Sequence, residues 1–169
     1  RMEAALEEDM AIIFLMGLST RALSLISPRL FGSSVSHDKI SECASRLSES
    51  VERWRTRLIN ETFKYLYLDG TNFPMRIGDT VEMVTVLVVI GVTENNQKQV
   101  IALQAGDKES APCWRQLFKD LKKRELDSSK IQLGIMDGLP GLETVFKEEF
   151  PSAKIQRCQV HVARNVLSK

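Results

Sequence analysis

Hydrophobic residues recur at helical spacing over the first third of the chain. Ser19 and the segment Ser33 to Ser36 offer helix N-caps, and Pro28 is expected to end the helix that Ser19 begins. The second helix has one apolar stripe, formed by Ile40, Cys43, Ala44, Leu47 and Val51. Two helices joined by a Gly-containing turn are compatible with a helix-turn-helix whose recognition helix begins near Ser36.

From Phe63 onward the pattern changes to strands that alternate with helices. The β-branched run Thr85 to Val92 predicts a central strand buried on both faces. A polar turn separates it from Gln99 to Ala105, so these two runs are expected to form an antiparallel hairpin. The remaining predicted elements are a strand that ends at Asp69, a helix over Ser110 to Arg124, a strand over Ile131 to Asp137, a helix from about Pro140 to Glu149 and a short strand over Lys154 to Gln156.

This order of elements is that of the opening of an RNase H-like fold. We therefore expect an α/β protein with a mixed sheet from Phe63 to about Gln156, preceded by a small helical region. In that architecture the fourth strand lies beside the first, which would make Asp69 and Asp137 neighbours although they are 68 positions apart. The expected domains are a helical, DNA-binding-like region with a linker helix (1–62), a partial RNase H-like core (63–157) and the start of a further helical segment (158–169).

Composition narrows the class of protein. With 169 residues and 43% hydrophobic residues, the chain is long enough to bury a core. Its 23 Lys and Arg nearly balance 22 Asp and Glu, so contacts with a polyanion must come from local patches. Three widely spaced cysteines do not resemble a secreted disulfide framework and favour a reducing cytosol. The apolar run Met10 to Leu18 is too short to cross a bilayer, which needs about 20 residues, and predicts a buried helix.

Two aspartates, Asp69 and Asp137, each follow an apolar run and precede a glycine. Metal-dependent phosphoryl-transfer enzymes use carboxylates in this way, to hold two Mg²⁺ ions about 3.5–4 Å apart. The alternative interpretation is an ordinary turn, because Asp-Gly is a common turn sequence. Asp79 and Asp107 also adjoin glycines, so the pattern by itself does not select Asp69 and Asp137.

Basic and amide side chains after the second aspartate suit contacts with phosphate groups. A solvated basic helix face is the alternative. The candidate DNA-binding residues are Arg157, His161, Arg164 and Asn165, together with Lys119, Lys122 and Lys123 on the predicted helix that follows the hairpin.

Cys158 and His161 form a Cys-x2-His pair. This is half of a structural zinc site, which requires four ligands, and the sequence offers no second pair. Zinc is therefore not expected, and a packing or DNA-proximal role is favoured for both residues.

Taken together, ordered blocks of sequence resemble the Mutator-type family of bacterial insertion-sequence transposases. The match extends over most of the chain and is more specific than any single motif. The blocks are Met16 to Arg21, Val35-Ser36 with Ile40-Ser41, Tyr67 to Thr71 with Phe73 to Arg76, Leu87 to Thr93, Ala105 to Ser110 with Trp114, Asp137 to Leu142, and Arg157-Cys158 with His161 and Arg164-Asn165.

The resemblance implies a DDE-type transposase, which uses Mg²⁺ (or Mn²⁺ as a substitute) to hydrolyse DNA at the ends of the element and to join the freed 3′-hydroxyl to target DNA. Asp69 and Asp137 would be metal ligands. The third acid, a distant glutamate, has no counterpart, because Glu143, Glu148 and Glu149 follow Asp137 too closely. The implied partners are transposon-end and target DNA and, in the full-length form, further copies of the protein. The implied location is the bacterial cytoplasm, at the nucleoid when DNA is bound, with no membrane association.

Two other functions stay open at this point. One is an inactive remnant that binds DNA or a full-length transposase without cutting, since the chain is expected to be a fragment. The other is an unrelated α/β domain in which the Asp-Gly pairs are turns. No glycine-rich loop of the Walker or dinucleotide type supports the second possibility.

Overall fold

The computed structural model describes residues 4–15, 19–77, 79–106 and 109–167. The chain divides into two compact units, residues 1–56 and 57–169. Within the described residues, no helix has the length and apolar character required to cross a membrane.

Three helices form the first unit: α1 (Ala4–Leu15), α2 (Thr20–Phe31) and α3 (His37–Arg55). The predicted cap at Ser19 is confirmed, because its Oγ accepts a hydrogen bond from the backbone N–H of Ala22. Within the predicted cap segment Ser33 to Ser36, the cap is Ser36, whose Oγ accepts a hydrogen bond from the backbone N–H of Lys39. The prediction that Pro28 ends α2 was wrong: the helix continues to Phe31. It ends at Gly32, whose φ of +70° suits a residue without a side chain.

A small core holds these helices together. It consists of Met10, Leu23, Val35, Ile40 and Cys43, all buried. Only the first half of α3 contributes to it, so Val51, predicted to belong to the apolar stripe, is 46% exposed. Residues 16–18 of the expected buried run Met10 to Leu18 lie outside the described residues.

The second unit is built on a five-stranded mixed sheet with strand order β3-β2-β1-β4-β5. β1, β2 and β3 are antiparallel, whereas β4 lies parallel to β1 and β5 parallel to β4. The predicted α/β class and RNase H-like sheet are thereby confirmed. The elements are β1 (Phe63–Ile77), β2 (Thr80–Thr93), β3 (Lys98–Gly106), α4 (Ala111–Lys123), a 3₁₀ turn (Ser128–Lys130), β4 (Leu133–Met136), α5 (Pro140–Glu149), β5 (Lys154–Arg157) and α6 (Gln159–Leu167).

Helices α4 and α5 join the sheet in one buried core. Their aromatic side chains contact one another, and the rings of Phe118 and Phe150 meet edge to face with centroids 5.3 Å apart. Leu66 and Leu68 of β1 belong to the same cluster. In β4, Gly134 leaves room for the ring of Phe146, which a β-carbon at position 134 would overlap. The core thus fixes β4 and α5 against each other.

Arg124, directly after α4, is a buried charged residue. Its guanidinium donates hydrogen bonds to the backbone carbonyls of Arg57 and Ile101, at 2.8 and 2.9 Å. Its own carbonyl accepts a bond from the N–H of Ile59 at 2.7 Å. The end of α4 is therefore tied both to β3 and to the segment that leads into β1.

Candidate active site

The two candidate aspartates belong to neighbouring parts of the sheet. Tyr67 of β1 is in parallel register with Ile135 of β4. Asp69 lies two residues further along β1, and Asp137 directly follows Met136, the last residue of β4. The charges of both aspartates act on the carboxyl of Glu109, which places the two at one site. Asp79, by contrast, lies in the turn after Ile77, roughly 26 Å along β1 from Asp69. Asp107 is outside the described residues.

Both carboxylates are accessible, but the prediction that the first strand ends at Asp69 was wrong: β1 continues to Ile77, because it stays paired with β2 over that length. The Asp69 side chain is 53% exposed, which leaves space beside it for an ion and its water. Asp137 is half-buried, and its Oδ1 accepts a hydrogen bond from the N–H of Leu139 at 3.0 Å. Gly138 has a φ of +94°, a conformation that favours glycine. Asp137 therefore takes part in a turn and also presents a carboxylate beside Asp69.

A third carboxylate, Glu109, lies close to this pair and was not singled out from the sequence. Its Oε1 accepts a hydrogen bond from the indole N–H of Trp114 at 3.2 Å. Its Oε2 occupies the space above Gly70, where a β-carbon would lie 2.5 Å away. Burial raises the pKa of Glu109, and the charges of Asp137 and, less strongly, Asp69 raise it further. The hydrogen bond from Trp114 and the charge of His161 lower the pKa and oppose this shift.

The sequence did contain a signal for Glu109. A glycine directly after a strand-borne aspartate suggests that another group approaches the backbone there. A glutamate just before the N-cap of the next helix is a candidate for that group. The identity of the group follows only from the tertiary structure.

His161 and Cys158 lie beside Asp69. The Nε2 atom of His161 is 4.0 Å from Asp69 Oδ1, and its Nδ1 atom is buried without a hydrogen-bond partner among the described residues. The backbone N–H of Cys158 donates to the carbonyl of Met136 at 2.6 Å, which joins the start of α6 to the end of β4. Both side chains line a cavity of about 200 Å³ together with Tyr67, Leu68, Asp69, Ile90, Lys98 and Ile135.

The predicted DNA-binding residues are not all brought to this site. Arg157, at the end of β5, lies over Gly138, with its Nε 3.5 Å from a carboxylate oxygen of Glu143. Arg164 is exposed on α6, whereas the side chain of Asn165 lies outside the described part.

The three lysines of α4 occupy its second half, whereas the helix begins beside the site, at Ser110, the residue after Glu109. At 1.5 Å per residue, Lys119 and Lys123 are about 14 and 20 Å along the helix axis from Ser110. Lys122 is bound to Glu149, with Nζ 2.8 Å from the carboxylate. The structure therefore does not bring these lysines close to the carboxylates of Asp69 and Asp137.

The donor chemistry of the site fits a hard divalent cation. Magnesium is commonly held by one or two carboxylates, with water and substrate phosphate completing its coordination, and Asp69 and Asp137 supply two carboxylates side by side. Across residues 4–15, 19–77, 79–106 and 109–167, no three His, Cys, Asp or Glu side chains are close enough to bind one ion together. Water and substrate would have to supply the remaining ligands.

Comparison with known proteins supplies the family. A family model described as "Transposase, Mutator family" matches residues 1–169. The transposase for insertion sequence element IS905 of Lactococcus lactis subsp. lactis (strain IL1403) is 31% identical over 169 residues, which cover 100% of this chain and 42% of the relative. The transposase for IS256 in transposon Tn4001 of Staphylococcus aureus is 32% identical, with 99% of this chain and 43% of the relative covered.

A solved structure of the simian T-cell lymphotropic virus intasome in complex with PP2A regulatory subunit B56 gamma matches at 12% identity and a TM-score of 0.34, covering 94% of this chain and 55% of that chain. That likeness is too low to support a conclusion. This chain spans less than half the length of the transposases of IS905 and IS256. Because the family match extends over all 169 residues, the chain belongs to the Mutator family of transposases.

Proposed function

We propose that this chain is part of a DDE-type DNA transposase and supplies two of the carboxylates that bind its catalytic Mg²⁺. The observation that carries the proposal is the parallel pairing of β1 with β4, which brings Asp69, within β1, near Asp137, directly after β4. Membership of the Mutator family supports the reaction class, because the relatives are transposases.

The main residues of the site have separate roles in this proposal. Asp69 and Asp137 would hold divalent ions, which when bound would supply activation of the attacking oxygen and stabilisation of the leaving oxygen. Arg157, exposed beside Gly138, contacts a DNA phosphate. Arg164, Asn165, Lys119 and Lys123 lie on helices and contact more distant phosphates, while Lys122 stays with Glu149. In the complete protein, copies assemble on transposon-end and target DNA in the bacterial cytoplasm.

Metal binding tests the first part of the proposal. Titration of the 169-residue chain with Mn²⁺, followed by electron paramagnetic resonance, should show saturable binding that competes with Mg²⁺. Asp69→Asn and Asp137→Asn should each weaken it by more than about 100-fold, beyond the usual cost of losing a supporting residue. Asp79→Asn removes the same charge from the far turn and should leave affinity unchanged. Equal affinity in all four proteins would remove both aspartates from the site.

Strand cleavage tests the reaction itself. In a transposase that contains this whole chain, either Asn substitution should abolish cleavage of transposon-end DNA while circular dichroism shows an unchanged fold. Retained cleavage would exclude the substituted aspartate from catalysis. Metal binding without cleavage would instead favour a remnant that binds DNA and does not cut it.

DNA binding tests the predicted phosphate contacts. Affinity measured by fluorescence anisotropy should fall steeply between 50 and 200 mM salt, because bound phosphates release counterions. Arg157→Ala and Arg164→Ala should each reduce the slope of log affinity against log salt by about 1. Lys122→Ala should change the slope less, because Glu149 already neutralises that lysine. A flat salt response would exclude phosphate contacts.

A further inference from the structure

We propose that Glu109 is a positioning residue of this site, a third carboxylate that accepts hydrogen bonds from the water molecules of a divalent ion held by Asp69 and Asp137. The inference rests on the proposed function and adds to it a residue that neither the aspartate motifs nor the predicted distant glutamate includes.

The first argument is the way in which the Glu109 carboxylate is held. One oxygen, Oε1, is fixed by the indole N–H of Trp114, a residue buried in the core. The other oxygen, Oε2, lies against the backbone of Gly70, next to Asp69 in the chain. The core thus orients this carboxylate towards the middle of β1, and the missing side chain at position 70 makes the approach possible.

The second argument is the charge around Glu109. Burial, then the charge of Asp137 and, less strongly, that of Asp69 raise the pKa of Glu109, so both aspartates oppose its ionised form. Half-buried groups of like charge destabilise a fold unless a cation compensates them. A divalent ion bound by the two aspartates would supply that compensation.

The third argument concerns how Glu109 would act. Among the described residues, no three acidic, His or Cys side chains can hold one ion jointly, so Glu109 is not placed as a direct ligand beside both aspartates. Magnesium keeps several of its waters in protein sites, and these waters need acceptors. Carboxylates that orient metal-bound groups in this way commonly change metal affinity by about 10–100-fold when removed.

The test separates positioning from a structural role. In the 169-residue chain, Glu109→Gln should weaken Mn²⁺ binding by about 10–100-fold. Without metal, in EDTA, the same variant should unfold at an equal or higher temperature than the original chain, because one of the repelling charges is gone. A structural role would lower the unfolding temperature in EDTA as well. Glu94→Gln, in the exposed turn after β2, is the matched control and should change neither quantity.

A double-mutant cycle tests the geometry. The methyl group of Gly70→Ala would lie 2.5 Å from Glu109 Oε2 and should push this flexible side chain away, so Mn²⁺ affinity should fall. In a Glu109→Ala background the methyl group has no carboxylate to displace, and Gly70→Ala should have no further effect. An equal effect of Gly70→Ala in both backgrounds would overturn the proposal, as would Mn²⁺ affinity within about 2-fold of the original in Glu109→Gln.

The same titrations distinguish the two proposals. If Asp69→Asn and Asp137→Asn leave Mn²⁺ binding intact, the metal site itself is wrong. If they abolish binding while Glu109→Gln does not weaken it, the metal site stands and only the role of Glu109 fails.

Discussion

The buried guanidinium of Arg124 shows how a single residue joins distant parts of the sheet unit. It donates to the backbone carbonyls of Arg57 and Ile101, which lie 67 and 23 positions away in the chain. A planar group with several fixed donors can satisfy both at once, which a lysine ammonium on a flexible stem cannot match. Removal of the guanidinium would leave buried carbonyls without donors.

Arg124→Lys should therefore destabilise the chain by about 1–3 kcal/mol, the cost of leaving buried polar groups unsatisfied. Urea unfolding followed by circular dichroism measures the change in free energy of unfolding. The neighbouring exposed residue gives the control, since Lys123→Ala should stay within about 0.5 kcal/mol. Equal stability of Arg124→Lys and the original chain would show that the two carbonyl bonds contribute little.

A second residue-scale prediction concerns acid. The hydroxyl of Ser129, and next its backbone N–H, donate to Asp127 and lower the pKa of that carboxyl. A lowered pKa means that the folded chain gains stability above the ordinary aspartate pKa and loses it as the pH falls through the lower, folded value. Asp127→Asn should therefore lower the unfolding temperature at pH 7, and the difference should shrink below about pH 4. A difference that is constant down to pH 2 would contradict this assignment.

At the scale of elements, local sequence patterns were sufficient to predict most helices but not the full length of the β1–β2 hairpin. Ser19, Ser36 and the boundaries of α5 were predicted from caps and apolar spacing. The outer half of the β1–β2 hairpin was not, because Asn72, Pro74 and Arg76 interrupt the apolar pattern there. Pairing with β2 across the ladder forms that half, and such pairing is a property of two strands together.

The contact between Gly134 of β4 and α5 leads to a prediction about stability. Its missing side chain lets β4 approach the Phe146 ring of α5, so Gly134→Ala should cost about 1–3 kcal/mol through overpacking. Gly141→Ala is the matched control, because a β-carbon there meets Ala111 at 3.4 Å, close to ordinary contact distance, and alanine favours a helix by about 0.5–1 kcal/mol. Chemical denaturation of the two variants should show effects of opposite sign. Similar stabilities would mean that Phe146 moves aside freely.

Over the whole molecule, residues 57–169 form a compact unit with a core of their own. All residues of the proposed metal site belong to it. The fold class followed from the order of elements alone, because a meander and two parallel strands joined through helices leave few topologies. Glu109 did not follow, because its position depends on where α4 packs and not on its neighbours in the sequence.

A shortened chain of residues 57–169 should therefore unfold cooperatively and bind Mn²⁺ with the affinity of the 169-residue chain, within about 2-fold. Calorimetry and Mn²⁺ titration of both chains make the comparison. Loss of cooperative unfolding in the shorter chain would show that residues 1–56 are needed for the second unit to fold. A separate loss of Mn²⁺ affinity, with folding intact, would assign them a part in the site.

The parallel pairing of β1 with β4 also determines when, during synthesis of the chain, the proposed metal site can form. β1 meets β2 across a short turn, but its other neighbour emerges 68 positions later in synthesis, after α4. Local hairpins form readily, whereas closing a long loop costs entropy before any contact compensates it. On the ribosome, the meander would then fold with Asp69 alone at its edge. The carboxylate pair would be among the last features to assemble, so an incomplete chain that ends before residue 137 would lack the proposed metal site.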